Sequence, residues 1–183
     1  MRPNPKLQTE NVAEYLLYIF QLEALVRTLD LDISRIQHEL LAPSFSDAEQ
    51  LSYQLSWYQE LVTEMSQRGL QKEGHIDHVD EILLELIYLH NTLLTVLNDE
   101  KYRGLCEHAQ DALNAFKTKS NMANRHDVEV LLHAMFMKLQ LKMKRQEISP
   151  ETESAFDLFR IQLAYLSKNY QRMKAGALNF IQN

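Results

Sequence analysis

Two groups of side chains have types and spacings that could support chemistry. On a helical wheel of about 100° per residue, His90 falls among Leu83, Leu86, Leu93, Leu94 and Leu97, near the middle of an apolar stripe. Glu23 lies between Leu16 and Ile19 on the stripe of an earlier helix, and Arg27 follows it one turn later, where i,i+4 pairs form. An unpaired polar group on such a face costs roughly 2–7 kcal/mol in an apolar medium, so each must find a partner. One reading is a structural polar network inside a helical bundle. The other is a small ligand pocket lined by Glu23, Arg27 and His90, with Tyr15 or Tyr18 nearby, in which a Glu–His pair could exchange protons.

The second group is His75, Asp77, His78, Asp80 and Glu81 at the start of a helix. His75 and His78 are one turn apart and are candidate metal ligands. Acidic residues at a helix N-terminus also complement its dipole without any metal, and zinc needs three or four convergent ligands. No cofactor is expected. The chain has no Gly-rich phosphate loop, no Gly-x-Ser-x-Gly elbow and no Glu-x-x-His of the di-iron bundles. The single cysteine, Cys106, falls on an apolar face and reads as a small hydrophobe rather than a nucleophile.

These side chains must be positioned by helices. With four Gly and four Pro in 183 residues, the chain is too poor in turn formers for an all-β fold. The first helix is predicted from about Thr9, its N-cap, to Thr28, and a short second one from Asp32 to Leu40 ends before Pro43. Ser46 and Glu49 read as a capping box opening a third helix to about Gln67, closed by Gly69. Further helices are predicted over 76–97, 99–117 and 125–146, and a last one from Ser149-Pro150 to near Gly176. The expected architecture is all-α: one antiparallel bundle of about six to seven helices, one of them short, in a single domain over 1–183 with flexible ends at 1–8 and 177–183.

Two helices are apolar on more than one side. In 125–146, Val128, Leu131, Leu132, Met135, Phe136, Leu139 and Met143 form one stripe, and Val130, Ala134, Met137 and Leu141 a second. In the last, Leu158, Ile161 and Tyr165 form a second stripe. Such helices are central in a bundle or face another subunit, which motivates a homodimer.

The net charge of -6 is unevenly spread. Residues 1–100 carry 6 Lys+Arg against 17 Asp+Glu, and residues 101–183 carry 13 against 8. Lys138, Lys142 and Arg145 share one face, as do Lys168 and Arg172, a pattern that could meet phosphates. A sequence pI near 5.6 speaks against a nucleic-acid binder, and a charged stripe is usually a solvated face. With no apolar run long enough to span a membrane, no signal core and one cysteine, the expectation is a soluble, cytoplasmic protein.

The stretch from Glu10 to Arg27, ENVAEYLLYIFQLEALVR, resembles the start of an uncharacterised all-helical Bacteroidetes family of about this length, known as a domain of unknown function. The segment from Gln146 to Thr152, and Leu166-Ser167-Lys168-Asn169-Tyr170 beyond it, extend the resemblance over nearly the whole chain. It implies an all-helical bacterial protein and supplies no activity, cofactor or catalytic residue. The leading expectation is a non-catalytic helical scaffold or protein-interaction module that self-associates, with a further protein partner open. A small-ligand or metal-dependent enzyme using the polar core is the alternative, and nucleic-acid binding through the basic half the third.

Overall fold

The computed structural model describes residues 3–178. Eight α-helices occur among them, and no strand. They are α1 (Pro5–Glu10), α2 (Val12–Thr28), α3 (Ile33–Arg35), α4 (Ala48–Gln67), α5 (Asp77–Thr95), α6 (Glu100–Lys119), α7 (Asp127–Met143) and α8 (Pro150–Lys174). A π-helical turn, Ile36–Leu41, continues α3, and its wider spacing shows in the 2.8 Å bond from Ala42 N–H to Gln37 O.

The all-α class read from the sequence holds, with corrections at several helix ends. The first predicted helix is two helices. Thr9 does not cap it, because its hydroxyl donates back to Lys6 O. Asn11 caps α2 instead, accepting from Glu14 N–H at 3.3 Å. The capping box expected at Ser46 and Glu49 is replaced by Asp47, which accepts from Gln50 N–H. Both ends shift by one or two residues because several capping side chains lie close together and local sequence does not rank them. Conversely, Ser149 caps α8 where expected, Gly69 follows α4 at φ +70°, and Asp99, read as the first residue of its helix, is the N-cap of α6. His126 and Glu129 form a capping box at α7 that the sequence reading missed.

The chain gathers into two compact units, the first built on Tyr18–Glu81 and the second on Lys6–Leu17 with Ile82 onward. Buried side chains of the first unit include Ile19, Val26, Ile36, Tyr58 and Met65. In the second, α8 packs on both α6 and α7. Most of the first half of α7 is buried, through Val128, Val130, Leu131, Leu132, Ala134 and Met135, with Glu129 and His133 half-buried on the remaining face. That accounts for its double apolar pattern over this stretch: the helix is central in its unit. Of the ends expected to be flexible, Pro5–Glu10 is helical and Leu178 is buried, while 1–2 and 179–183 lie outside the described residues.

Candidate functional site

In the first unit, α2 presents Phe20, Glu23 and Arg27 at i, i+3 and i+7, one face of the helix. All three hold the connection between α4 and α5. Glu23 is fully buried. Its Oε2 meets His75 Nδ1 at 2.6 Å, and its Oε1 accepts from Ile76 N–H at 2.9 Å. The Phe20 ring stacks on the His75 imidazole with centroids 4.1 Å apart and planes 17° from parallel. Arg27 donates from Nε to Leu70 O at 2.9 Å and from Nη2 to Gly74 O at 2.5 Å. Arg68 donates to His75 O at 2.5 Å and binds Asp77 and Asp80. Gly74 sits at φ +91°, where a Cβ would come within 2.8 Å of Leu70 Cδ2, so this connection requires glycine.

The arrangement therefore differs from the Glu23–Arg27 pair read from the sequence. Both residues are on the expected face, but each reaches a different part of the 70–76 connection. Long-range acceptors compete well with an i,i+4 contact because buried N–H and C=O groups also require partners. The consequence is a fixed imidazole. A carboxylate at Nδ1 favours the tautomer with its proton there and leaves Nε2 as the basic nitrogen. The His75 side chain keeps 29% of its surface exposed, so the pair combines a buried orienting acid with an accessible ring.

The acidic and histidine cluster at 75–81 is divided among local tasks. His75 goes to Glu23, Asp77 and Asp80 go to Arg68, and His78 Nδ1 lies 3.8 Å from Glu81. No set of three or more His, Cys, Asp or Glu side chains converges as a metal site among the described residues. His75 and His78 are thus not gathered with a third ligand, as zinc would require.

His90 belongs to the second unit and to a different polar cluster. It is 6% exposed, and its Nδ1 pairs with the Tyr102 hydroxyl at 2.8 Å. Burial pushes its imidazole from 6.5 down to about 4; charge on nearby His126 adds to this and Asp127 opposes it. Near neutral pH His90 is an uncharged acceptor, and Tyr102 O–H is the donor. The Tyr102 ring stacks on Tyr165, whose hydroxyl donates to Asp99 Oδ2 at 2.8 Å. Asp99 Oδ1 in turn accepts from Tyr102 N–H. Gln162 Nε2 donates to Cys106 Sγ at 3.2 Å, and burial pushes that thiol up to about 11. Such a thiol stays protonated near neutrality and is a poor nucleophile, in line with its apolar position. Of this cluster, His90 and Cys106 were singled out from the sequence, His90 as a polar residue and Cys106 as a small hydrophobe. The i,i+4 spacing of Tyr102 and Cys106 and the i,i+3 spacing of Gln162 and Tyr165 were the signals for the rest.

The basic stripe is partly engaged. Lys138 is bonded to Glu153 at 2.5 Å and lies over the Phe156 ring, whereas Lys142 and Arg145 are exposed. This contrast gives a stability test. Arg27→Ala strips partners from two carbonyls and should cost about 1–3 kcal/mol in urea unfolding. Lys142→Ala should stay within about 0.5 kcal/mol. Equal, small losses would show that water replaces Arg27 at no cost.

These features define an all-helical protein with a buried carboxylate–imidazole pair in one unit and a tyrosine–histidine cluster in the other. The chain belongs to the family described as Domain of unknown function (DUF4924), which it matches over residues 1–177. No curated protein and no solved structure matches it. No helix among the described residues is long and apolar enough to cross a membrane.

Proposed function

We propose that this protein is a non-catalytic helical interaction module that self-associates as a symmetric dimer, and we place it in the cytoplasm. The observation that carries the reading is on α5. Leu84 and Tyr88, one turn apart, are 67% and 63% exposed. Asn91 and Thr95 continue the same face and are exposed and uncharged. A two-fold contact sets a patch against its own copy, and the stretch from Leu84 to Thr95 on this face brings no like charges together, with the exposed Glu81 one turn before it at the edge. Burying one large apolar side chain fully contributes about 1.5–3 kcal/mol. The sequence points to α7 and α8 as the pairing helices. The α5 face is the better candidate, since most of the first half of α7 is already buried in its own unit.

Sedimentation at micromolar concentration should give a mass near twice the 21.5 kDa of the chain. Leu84→Lys with Tyr88→Glu should return it to one chain. A Met143→Lys control, also at an exposed apolar residue, should leave the dimer intact. A wild-type protein that sediments as a single chain would remove the proposal.

The Glu23–His75 pair favours a second reading, a small-ligand or metal-dependent enzyme with His75 as its acid–base group. Native mass spectrometry of protein purified without added metal reads both possibilities at once. A retained small molecule or metal lost in His75→Ala would favour the second reading, and a bare dimer the first.

A further inference from the structure

The second unit contains a groove of about 410 Å³ between α6, α7 and α8, a volume within the range of small-molecule sites. Its floor is apolar and aromatic: Phe116, Met137, Leu141, Phe156 and Phe159. The aromatic part is rigidly held. Phe116 meets Phe159 edge-on with centroids 6.1 Å apart, and Phe159 meets Phe156 at 6.5 Å. Phe156 and Phe159 are buried, so these rings are fixed by the core beneath them. The groove exists because alanines stand where larger residues would close it: Ala112 and Ala115 on α6 and Ala155 on α8.

The rim carries both signs of charge. Glu151 stands at the start of α8, where its own backbone N–H and the Ser149 hydroxyl hold its carboxyl below the usual range and keep it ionised. Lys119 lines the groove with no carboxylate partner among the described residues, and Ser120 beside it supplies a hydroxyl. The neighbouring lysine of the same turn, Lys117, is bound to Asp127. An apolar floor with one uncommitted cation at its edge suits a molecule with an apolar body and a single negative group.

We propose that the α6–α7–α8 groove binds a small amphipathic carboxylate, its aliphatic or aromatic body on Phe116, Met137 and Leu141 above the buried Phe156 and Phe159, and its carboxylate at Lys119. The site is independent of the self-association reading, since Leu84 and Tyr88 of α5 do not line the groove.

The test uses the full chain and the neutral fluorescent probe N-phenyl-1-naphthylamine, displaced by decanoate or by decanol. Wild type should bind the probe with a dissociation constant on the order of tens of micromolar, the affinity ordinary for ligands of this size. Decanoate should displace it at about three- to fivefold lower concentration than decanol, the margin an exposed ion pair supplies. Ala115→Trp fills the groove from an exposed position and should weaken the probe and both competitors by about tenfold or more, a loss of about 1.4 kcal/mol. Its circular dichroism and melting temperature should match wild type. Lys119→Glu should leave probe affinity unchanged and abolish the preference for decanoate. Absence of probe binding in wild type would overturn the proposal. So would undiminished binding in a folded Ala115→Trp, which would place the probe elsewhere, or a preference for decanoate that survives Lys119→Glu.

Discussion

Glu23→Ala should destabilise the protein by on the order of 3–5 kcal/mol, among the largest effects available to a single polar substitution here. The carboxylate is fully buried and both of its oxygens are used. Removing it strands His75 Nδ1 and Ile76 N–H together and opens space beneath the start of α5. Glu23→Gln keeps an acceptor oxygen and should lose less, since one bond of the two survives in neutral form. His75→Ala leaves the carboxylate buried with only Ile76 N–H as a partner, so it too should be costly. The double variant should therefore lose clearly less than the two single losses combined, which is the signature of direct coupling. Urea unfolding of these four variants beside wild type reads all of this. A loss below about 1 kcal/mol for Glu23→Ala would mean that water reaches the site and satisfies what the carboxylate leaves behind.

The second large effect is a response to acid centred on His90. Its folded-state pKa of about 4 lies below the ordinary 6.5 because burial disfavours the charged ring. Between these two values the unfolded chain takes up a proton that the folded chain refuses. Stability contributed by keeping His90 neutral is thus fully present above pH 6.5, falls as pH drops below it, and stops falling below about 4. From pH 7 to pH 5 the His90 contribution to this loss is about 2 kcal/mol. His90→Gln keeps an acceptor for Tyr102 O–H and cannot be protonated, so its stability should fall less over the same interval. The difference between the two proteins isolates His90 from the other histidines. Parallel stability curves for wild type and His90→Gln would show that the ring titrates normally and that the cluster is open to water.

Much of the fold was legible because helices declare themselves locally. The cap at Ser149, the closing Gly69 and apolar residues at 3–4 spacing fix where α4, α6 and α8 lie within a residue or two. The break at Asn11 was not legible. Residues 9–12 continue a helical pattern, and the cap depends on an Asn11 side chain that also accepts from the Ser167 hydroxyl, distant in sequence.

The candidate site was half legible for the same kind of reason. By itself the sequence determined that the protein is helical, that Glu23, Arg27 and His90 lie on apolar faces, and that each must be bonded there, since periodicity and the cost of burying polarity are local properties. Only the tertiary structure decided the partners. It gave Glu23 to His75 and Ile76, Arg27 to two carbonyls of the 70–76 connection, and His90 to Tyr102 in the other unit. It also left Leu84 and Tyr88 exposed and opened the groove over Phe156 and Phe159. A helical wheel gives the direction in which a side chain points. What stands in that direction depends on how helices far apart in sequence pack, and that is set by the whole chain at once.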